Sequence, residues 1–273
     1  MMSLMKRIVK SLVRIVKRSP VQIPVHVPVL QNELLKGRTA LITGGGSGIG
    51  YAIAEAFLRA GATVVISGRN EEKLKKAISS LSSKGVVSYI QMDNANPKLF
   101  EKIVSEMQSF DILVNNAGYV GGGSFGNTLE SEYDKVLDVN LKGAYFLSEV
   151  VSNQWIKQGI KGNILNICSA SSLRPGQSPY ILSKWGLRSL TVGMAKLLVK
   201  HGIVVNGLAP GCTNTQKFSP NGDIANLKNP SGRMVTVEEV ANMAVILVSS
   251  LARMIVGDVV YMTGGGAIVT LDD

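Results

Sequence analysis

The chain has 273 residues, of which 45% are hydrophobic, and it carries a formal net charge of +10 at pH 7. This length and apolar content suffice for one sizeable core, so a second domain is not required. Two cysteines without close spacing and two histidines do not predict a disulfide framework or a metal site, and they favour a reducing, cytoplasmic compartment. Nucleic-acid binding is not expected, because the basic residues are not interleaved with aromatic ones and no zinc-finger pattern is present.

Residues 1–18 predict a basic amphipathic helix. On a helical projection, six basic residues and two serines occupy one side, and methionine, leucine, isoleucine and valine occupy the other. Pro20 ends this helix, and further prolines at positions 24 and 28 predict an extended connector. The apolar run is too interrupted for a membrane-spanning helix or a secretory signal. We therefore expect an extension, residues 1–36, followed by a single domain, residues 37–273.

Three roles for this extension remain open. It can lie on an anionic membrane surface, pack against the domain or a partner subunit, or act as an organelle import signal. The absence of acidic residues favours the membrane surface, where each basic residue adds about 1 kcal/mol of attraction. We expect a cytoplasmic protein that is peripheral on a membrane, with import as the alternative.

From residue 39 onward, short β-rich runs alternate with apolar-periodic segments that are long enough for crossover helices. This alternation predicts an α/β fold with a doubly wound, parallel, seven-stranded sheet of the Rossmann-like type. The expected strands are residues 39–43, 63–67, 86–91, 111–115, 163–168, 203–208 and 259–262.

The first expected strand runs into a glycine-rich turn and then into a helical segment. Gly44, Gly48 and Gly50 have the spacing T-G-x-x-x-G-x-G. Glycines allow the backbone to approach a pyrophosphate, and the free N–H groups at a helix start bind anions. We therefore expect these glycines, with Ser47 and Ile49, to bind a dinucleotide.

The second expected strand ends in Ser67-Gly68-Arg69-Asn70, where an NAD-binding unit would offer an acidic residue to the ribose. Arg69 can instead pair with a 2′-phosphate, which predicts NADP(H) as the cofactor. The alternative is that Arg69 is a solvated loop charge.

Tyr180 and Lys184 are four residues apart in an expected helix, and hence on the same face. An ordinary tyrosine ionises well above neutral pH, but an ammonium held close favours the phenolate and makes it useful for proton transfer. Pairs with this spacing are common in helices, so other motifs have to support the assignment.

Those motifs are the glycine turn, the stretch Asn115-Asn116-Ala117-Gly118, Asn140, Ser169, the pair Tyr180 and Lys184, and Pro210-Gly211. In this order they resemble the short-chain dehydrogenase/reductase family over residues 37–267. The resemblance implies an NADP-dependent oxidoreductase that transfers a hydride between the nicotinamide and a carbonyl or alcohol. A homo-oligomer, either a dimer or a tetramer, is also expected.

The resemblance implies a role for each catalytic residue. Tyr180 gives the proton to the substrate oxygen or takes it. Lys184 holds the nicotinamide ribose and assists the tyrosine, Asn140 anchors a water of the proton relay, and Ser169 orients the substrate carbonyl. Ser169 precedes Tyr180 by 11 residues, which is shorter than usual in the family, so Ser171 and Ser172 are alternatives.

The resemblance also implies cofactor contacts outside the glycine turn. Asp93 matches an adenine contact, although it can equally cap a turn. The other expected contacts are Asn116, Ala117 and Gly118 in the adenosine pocket, and Pro210, Gly211, Thr213 and Thr215 beside the nicotinamide.

Three further expectations complete the sequence-based description. Residues 214–233 are expected to form a lid over the substrate. Cys212 is expected to be a bystander, because no histidine is placed to activate it. The sequence does not identify the substrate. The alternative to an enzyme is a catalytically silent nucleotide-binding regulator or a membrane-associated scaffold.

Overall fold

The computed structural model describes residues 33–215, 221, 223–226 and 228–266. Seven parallel strands form one sheet in the order β3-β2-β1-β4-β5-β6-β7. They are β1 Thr39–Thr43, β2 Thr63–Gly68, β3 Val87–Gln91, β4 Ile112–Asn115, β5 Asn163–Ile167, β6 Val204–Pro210 and β7 Val259–Met262. This confirms the predicted doubly wound parallel sheet, and the expected strand ends agree with the observed ones to within two residues.

Helices cover both faces of the sheet. They are α1 Gly48–Arg59, α2 Glu71–Leu81, α3 Phe100–Glu106, α4 Glu130–Leu137, α5 Gly143–Gln158, α6 Pro179–Leu198 and α7 Val237–Val248. Short 3-10 turns lie at Pro97–Leu99, Ala170–Leu173, Val199–His201 and Ser250–Ala252, and a π turn at Asp138–Lys142 joins α4 to α5.

In the described residues, two large apolar cores and one small cluster fill the space between the sheet and its helices. Along β1, Ala40 and Ile42 point into the core that holds α1, α2 and α7, whereas Leu41 points into the core that holds α3, α5 and α6. In β4, Leu113 shares the second core with Leu41. This alternation follows from the two-residue period of a strand, and it explains why the central strands are apolar on both faces.

The predicted helix of residues 1–18 lies outside the described residues. Leu35 is fully buried in the first core, and its backbone N–H donates to Ala60 O at 2.9 Å. The packed part of the chain therefore starts before residue 37, at which the sequence placed the start of the domain. Within the part of the chain that the structure describes, no helix is long and apolar enough to cross a membrane.

Charged side chains close the amino edge of the sheet. Arg38 forms an ion pair through Nε with Asp111, and its Nη2 donates to Asn163 Oδ1 at 2.9 Å. Asp111 Oδ1 also accepts from the Thr39 N–H at 3.0 Å. These bonds join the residues at the starts of β1, β4 and β5, so the central strands are fixed at the edge opposite to the cleft described next.

Candidate active site

A cleft of about 1130 Å³ lies at the carboxyl edge of the sheet. The chain leaves β1 toward β2 but leaves β4 toward β5, and ligands of doubly wound sheets bind where the strand order reverses in this way. The expected site residues that line the cleft are Gly44, Ser47, Gly48, Ile49, Asn116, Ala117, Gly118, Ser169, Tyr180, Lys184, Pro210, Gly211, Thr213 and Thr215. Four expected residues do not line it, namely Gly50, Arg69, Asp93 and Asn140.

The start of α1 is built to receive an anion. Ser47 precedes the helix in an extended conformation, its side chain makes no capping hydrogen bond, and the first turn contains no acidic residue. Ser47, Gly48 and Ile49 all line the cleft, so the unpaired N–H groups of the first turn lie at its wall. Gly48 has a φ of +56°, a conformation that glycine adopts without strain.

Two further glycines allow close packing behind this turn. Gly44 has a φ of +66°, and a Cβ there would lie 3.0 Å from Ala117 Cα. A Cβ on Gly50 would overlap Gly44 O and Asn116 Nδ2. Gly50 therefore does not touch the cleft itself, but it lets α1 approach the turn closely enough to form the cleft wall.

Thr43 joins the two loops that flank the cleft. Its side chain is fully buried, its Oγ1 donates to Val114 O at 3.2 Å, and Oγ1 accepts from the N–H groups of Asn116 and Ala117 at 3.0 Å each. Asn116 Nδ2 in turn donates to Thr43 O at 2.9 Å. Sequence reasoning missed this role of Thr43, although the residue opens the glycine motif.

Tyr180 and Lys184 lie near the start of α6. Ser178 caps this helix, since its Oγ accepts from the Ile181 N–H at 3.3 Å. Lys184 is only 5% exposed, and its Nζ donates to Ile167 O at 2.8 Å. The same Nζ lies 5.8 Å from the centre of the half-buried Tyr180 ring, so an ammonium is held beside the phenol in a largely desolvated place.

Asn140 lies in the π turn between α4 and α5, a local irregularity that is frequent at functional sites. Its amide is buried, with Oδ1 accepting from the Tyr119 N–H at 2.7 Å and Nδ2 donating to Tyr119 O and Ser183 Oγ at 3.0 Å each. The side chain therefore ties the loop after β4 to α6, one residue before Lys184. Its predicted contact with a water stays a prediction.

The three candidate serines differ in position. Ser169 lines the cleft directly after β5, and its Oγ accepts from the Ser171 N–H at 3.1 Å, which leaves its hydroxyl proton able to donate. Ser171 also lines the cleft. Ser172 is fully buried, does not line the cleft, and donates to Ser169 O at 2.8 Å. The geometry thus favours Ser169 and leaves Ser171 as the alternative.

Arg69 and Asp93 are exposed and stand outside the cleft wall. Asp93 Oδ1 accepts from the Ala95 N–H at 3.0 Å, which is the turn-capping role given as its alternative. Instead, Lys73 and Lys76 of α2 line the cleft, and sequence reasoning missed them. Their i,i+3 spacing on a helix that starts two residues after Arg69 is the signal that could have found them.

The two cysteines have different surroundings. Burial raises the pKa of the Cys168 thiol to about 11, and the nearby Lys184 ammonium offsets only part of this effect. Cys168 is therefore a neutral thiol at pH 7. Cys212 is exposed and lines the cleft within the loop after β6.

The predicted lid is anchored to α7 at its end. Arg233 binds both carboxylate oxygens of Glu239, at 2.8 and 2.7 Å, and the Arg233 guanidinium followed by the Thr236 backbone N–H lowers the pKa of Glu239 to about 2. Glu239 and Thr236 also form a reciprocal capping box at the start of α7. Lys228 and Asn229 line the cleft, so the described part of this segment borders the site. Closure over a substrate stays a prediction.

Comparisons with known proteins agree on one family. Residues 38–223 match the model of the short chain dehydrogenase family. Gluconate 5-dehydrogenase of Gluconobacter oxydans (strain 621H) is 34% identical over 250 residues, covering 87% of this chain and 97% of that protein. A 3-oxoacyl-[acyl-carrier-protein] reductase of Aquifex aeolicus (strain VF5) is 35% identical over 243 residues, covering 85% and 98%.

A solved structure gives the same relationship in three dimensions. The gluconate 5-dehydrogenase of Burkholderia cenocepacia J2315, crystallised in complex with NADP and tartrate, superposes with a TM-score of 0.77 at 32% sequence identity. The match covers 86% of this chain and 97% of that one. The similarity thus extends over most of the length of both chains.

Proposed function

The chain belongs to the short-chain dehydrogenase family and is an oxidoreductase that acts on CH–OH or C=O groups, and from this premise we propose that it uses NADP(H), with Tyr180 as proton donor and acceptor. One observation carries the proposal: the buried Lys184 ammonium and the Tyr180 phenol share a cleft with the anion-binding start of α1. A Cβ at Gly44 or Gly50 would collide with the atoms packed behind the turn and would shift this wall. The glycines present therefore fit the close backbone approach that a dinucleotide requires.

The chain's own residues account for the proton transfer. Lys184 keeps one N–H on Ile167 O, and its other two donors are available for a ribose hydroxyl and for the Tyr180 oxygen. The ammonium stabilises the phenolate that forms when Tyr180 gives its proton to the substrate oxygen. Bound NADPH supplies the hydride to the carbonyl carbon, and oxidation of an alcohol follows the reverse course.

Ser169 is proposed to hold the substrate oxygen during this transfer. Its Oγ already accepts from the Ser171 N–H, so the hydroxyl proton is left to donate to an oxygen that gains negative charge. Ser169 and Tyr180 both line the cleft, at the end of β5 and the start of α6. Two donors then meet one substrate oxygen.

NADP(H) is favoured over NAD(H) by the charges around the adenosine end. Lys73 and Lys76 line the cleft, and Arg69 directly precedes Asn70, the residue that caps α2. Within the described cleft wall no carboxylate is present to bind the ribose hydroxyls of NAD or to repel a 2′-phosphate. The solved relative that contains NADP supports the same choice.

The proposal is tested by following NADPH oxidation across a panel of ketones, keto acids and acyl thioesters. We expect Tyr180→Phe to lower kcat/KM by about 10²- to 10⁴-fold while it keeps NADPH binding, because only the transferable proton is removed. Tyr133→Phe, which changes an exposed tyrosine outside the cleft wall, is the matched control.

Equal rates for the wild type and Tyr180→Phe would remove the assigned proton donor, and a kcat/KM ratio of NADPH to NADH below one would remove the NADP preference. If NADPH binds but no carbonyl in the panel is reduced, the silent nucleotide-binding regulator becomes the better description. The membrane role of residues 1–18 and the homo-oligomer stay predictions.

A further inference from the structure

We propose that Arg174 determines substrate specificity by binding an anionic group, a carboxylate or a phosphate, on the substrate. This inference rests on the proposed function, since it concerns the substrate end of the same cleft.

The charge of the cleft wall has one sign. Among the residues that the structure describes, no aspartate or glutamate lines the cleft. The charged residues that do so are Lys73, Lys76, Arg174, Lys184 and Lys228. A concave wall with charges of one sign concentrates ions of the opposite sign, so both the cofactor and the second ligand are expected to be anionic there.

These cations fall into two groups along the cleft. Lys73 and Lys76 belong to α2, which follows β2, whereas Arg174 follows β5. Two strands, β1 and β4, separate β2 from β5 in the sheet. At about 4.8 Å per strand, the two groups are on the order of 14 Å apart across the sheet. Arg174 therefore lies on the same side of the cleft as Ser169, away from the cations at the adenosine end.

The backbone of Arg174 is fixed at the cleft edge. Its N–H donates to Ser171 O at 3.1 Å, and its carbonyl accepts from Trp185 Nε1 at 2.6 Å. Pro175 then stiffens the chain on the following side. Arg174 thus lies one short 3-10 turn after Ser169, at a defined place in the wall.

The guanidinium of Arg174, in contrast, is uncommitted. Arg38, Arg59 and Arg233 each form an ion pair with a carboxylate. Over the described ranges, neither Arg174 nor Lys228 has a carboxylate within 4.0 Å or a side-chain hydrogen bond from its charged group. An arginine with a fixed backbone and an unpaired guanidinium group is suited to a bidentate contact with a carboxylate or phosphate.

Binding of an anion by Arg174 would set the position of the substrate in the cleft. An anion held by Arg174 would keep the substrate at a set distance from Ser169 and Tyr180, so that one particular carbon faces the nicotinamide. Lys228, which also lines the cleft, would add attraction without a fixed geometry, because lysine binds as a point charge.

The test compares three polyols with the same carbon skeleton. Full-length protein saturated with NADP⁺ is titrated by calorimetry with D-glucitol, D-gluconate and D-glucitol 6-phosphate. We expect at least one of the two anions to bind about 10-fold more tightly than D-glucitol, and the arm that does so identifies a carboxylate or a phosphate as the recognised group.

Variants test whether Arg174 causes the tighter binding of the anion. Arg174→Gln should abolish the difference between anion and D-glucitol, and Arg174→Lys should restore part of it. Arg253→Gln, which removes an exposed arginine outside the cleft wall, should leave it unchanged. Equal binding of all three polyols, no measurable binding of either anion, or a preference that survives in Arg174→Gln would each overturn the inference.

Failure of the proposed function is recognised separately. If NADP⁺ binds and Tyr180-dependent turnover is found while the anions show no preference, only the role of Arg174 is wrong. If NADP⁺ does not bind, the proposed function is wrong, and the same titrations without cofactor still decide the role of Arg174.

Discussion

Charge is arranged in opposite ways at the two edges of the sheet. At the amino edge, Arg38 is paired with Asp111 and Asn163, and its neighbours satisfy its donors. At the carboxyl edge, among the described residues, the Lys184 ammonium has one hydrogen-bond partner, and the charged group of Arg174 has none. The first edge uses its charges to hold strands together, whereas the second keeps cations available for ligands.

The carboxyl edge needs support from hydrogen bonds between uncharged groups, because unpaired cations do not hold each other in place. Thr43 and Asn116 fix the loops after β1 and β4, and Asn140 fixes the loop after β4 against Ser183 of α6. The loops around the cleft are thus held by amide and hydroxyl groups, while the charges of the cleft serve the ligand. Three substitutions test this difference between the two edges of the sheet.

The largest effect is expected at Gly50, where the carboxyl edge of the sheet depends on close packing. In Gly50→Ala the new Cβ would overlap Gly44 O and Asn116 Nδ2, and the turn would have to move. We expect the Kd for NADPH to rise at least about 100-fold, which corresponds to roughly 2.7 kcal/mol. Fluorescence titration with NADPH measures it.

Gly193→Ala is the matched control for that prediction. A Cβ at Gly193 meets no atom within 4 Å, and alanine is the better helix former in α6. Cofactor affinity should be unchanged there. Normal NADPH binding by Gly50→Ala would show that the turn is not held in the way described.

A smaller effect is expected at the amino edge of the sheet. Arg38→Met removes the cation that pairs with Asp111, and the side chains of the pair are 24% and 27% exposed. We expect a loss of about 2 kcal/mol in the free energy of unfolding, since a partly buried carboxylate is left without its partner. Urea unfolding measures this loss.

Because Arg38 lies at the edge opposite to the cleft, Arg38→Met should leave the cleft intact. The kcat/KM per folded molecule should therefore not change. Replacing both partners, as in Arg38→Met with Asp111→Leu, should recover part of the stability. A single variant that loses activity while it stays fully folded would contradict the separation of the two edges.

The smallest effect is expected at Glu239, which anchors the end of the predicted lid. The pair with Arg233 is partly exposed, so Glu239→Gln should cost about 0.5–1 kcal/mol at pH 7. Folding lowers the pKa of Glu239 from its ordinary 4.5 to about 2. Its contribution is therefore complete above pH 4.5 and is lost as the pH falls toward 2.

Urea unfolding of the wild type and Glu239→Gln at pH 7, 4 and 3 checks this dependence. The difference between the two proteins should shrink as the pH is lowered. Glu238→Gln, at a neighbouring residue without an ion pair in the described structure, should show no such trend. A constant difference over this range would contradict a stabilising role of the ionised Glu239 carboxylate.

Features that depend on local spacing could be predicted from the amino-acid sequence. The strands follow from short β-rich runs between helical segments, and Gly44 and Gly48 follow from a turn that requires positive φ. The pair Tyr180 and Lys184 follows from the helical period, which brings residues four apart to one face. Such features need only neighbours in the chain.

Tertiary structure decided everything that depends on distant partners. Asn140 bonds to Tyr119 and Ser183, which a motif does not reveal, and Ser172 is buried while Ser169 faces the cleft. Lys73 lines the cleft and Asp93 does not, because helix orientation and turn geometry set which side chains reach the wall. Burial and pairing arise only when segments far apart in sequence pack together. For this reason the sequence predicted that Tyr180 and Lys184 share a helix face but did not reveal the residues that support them.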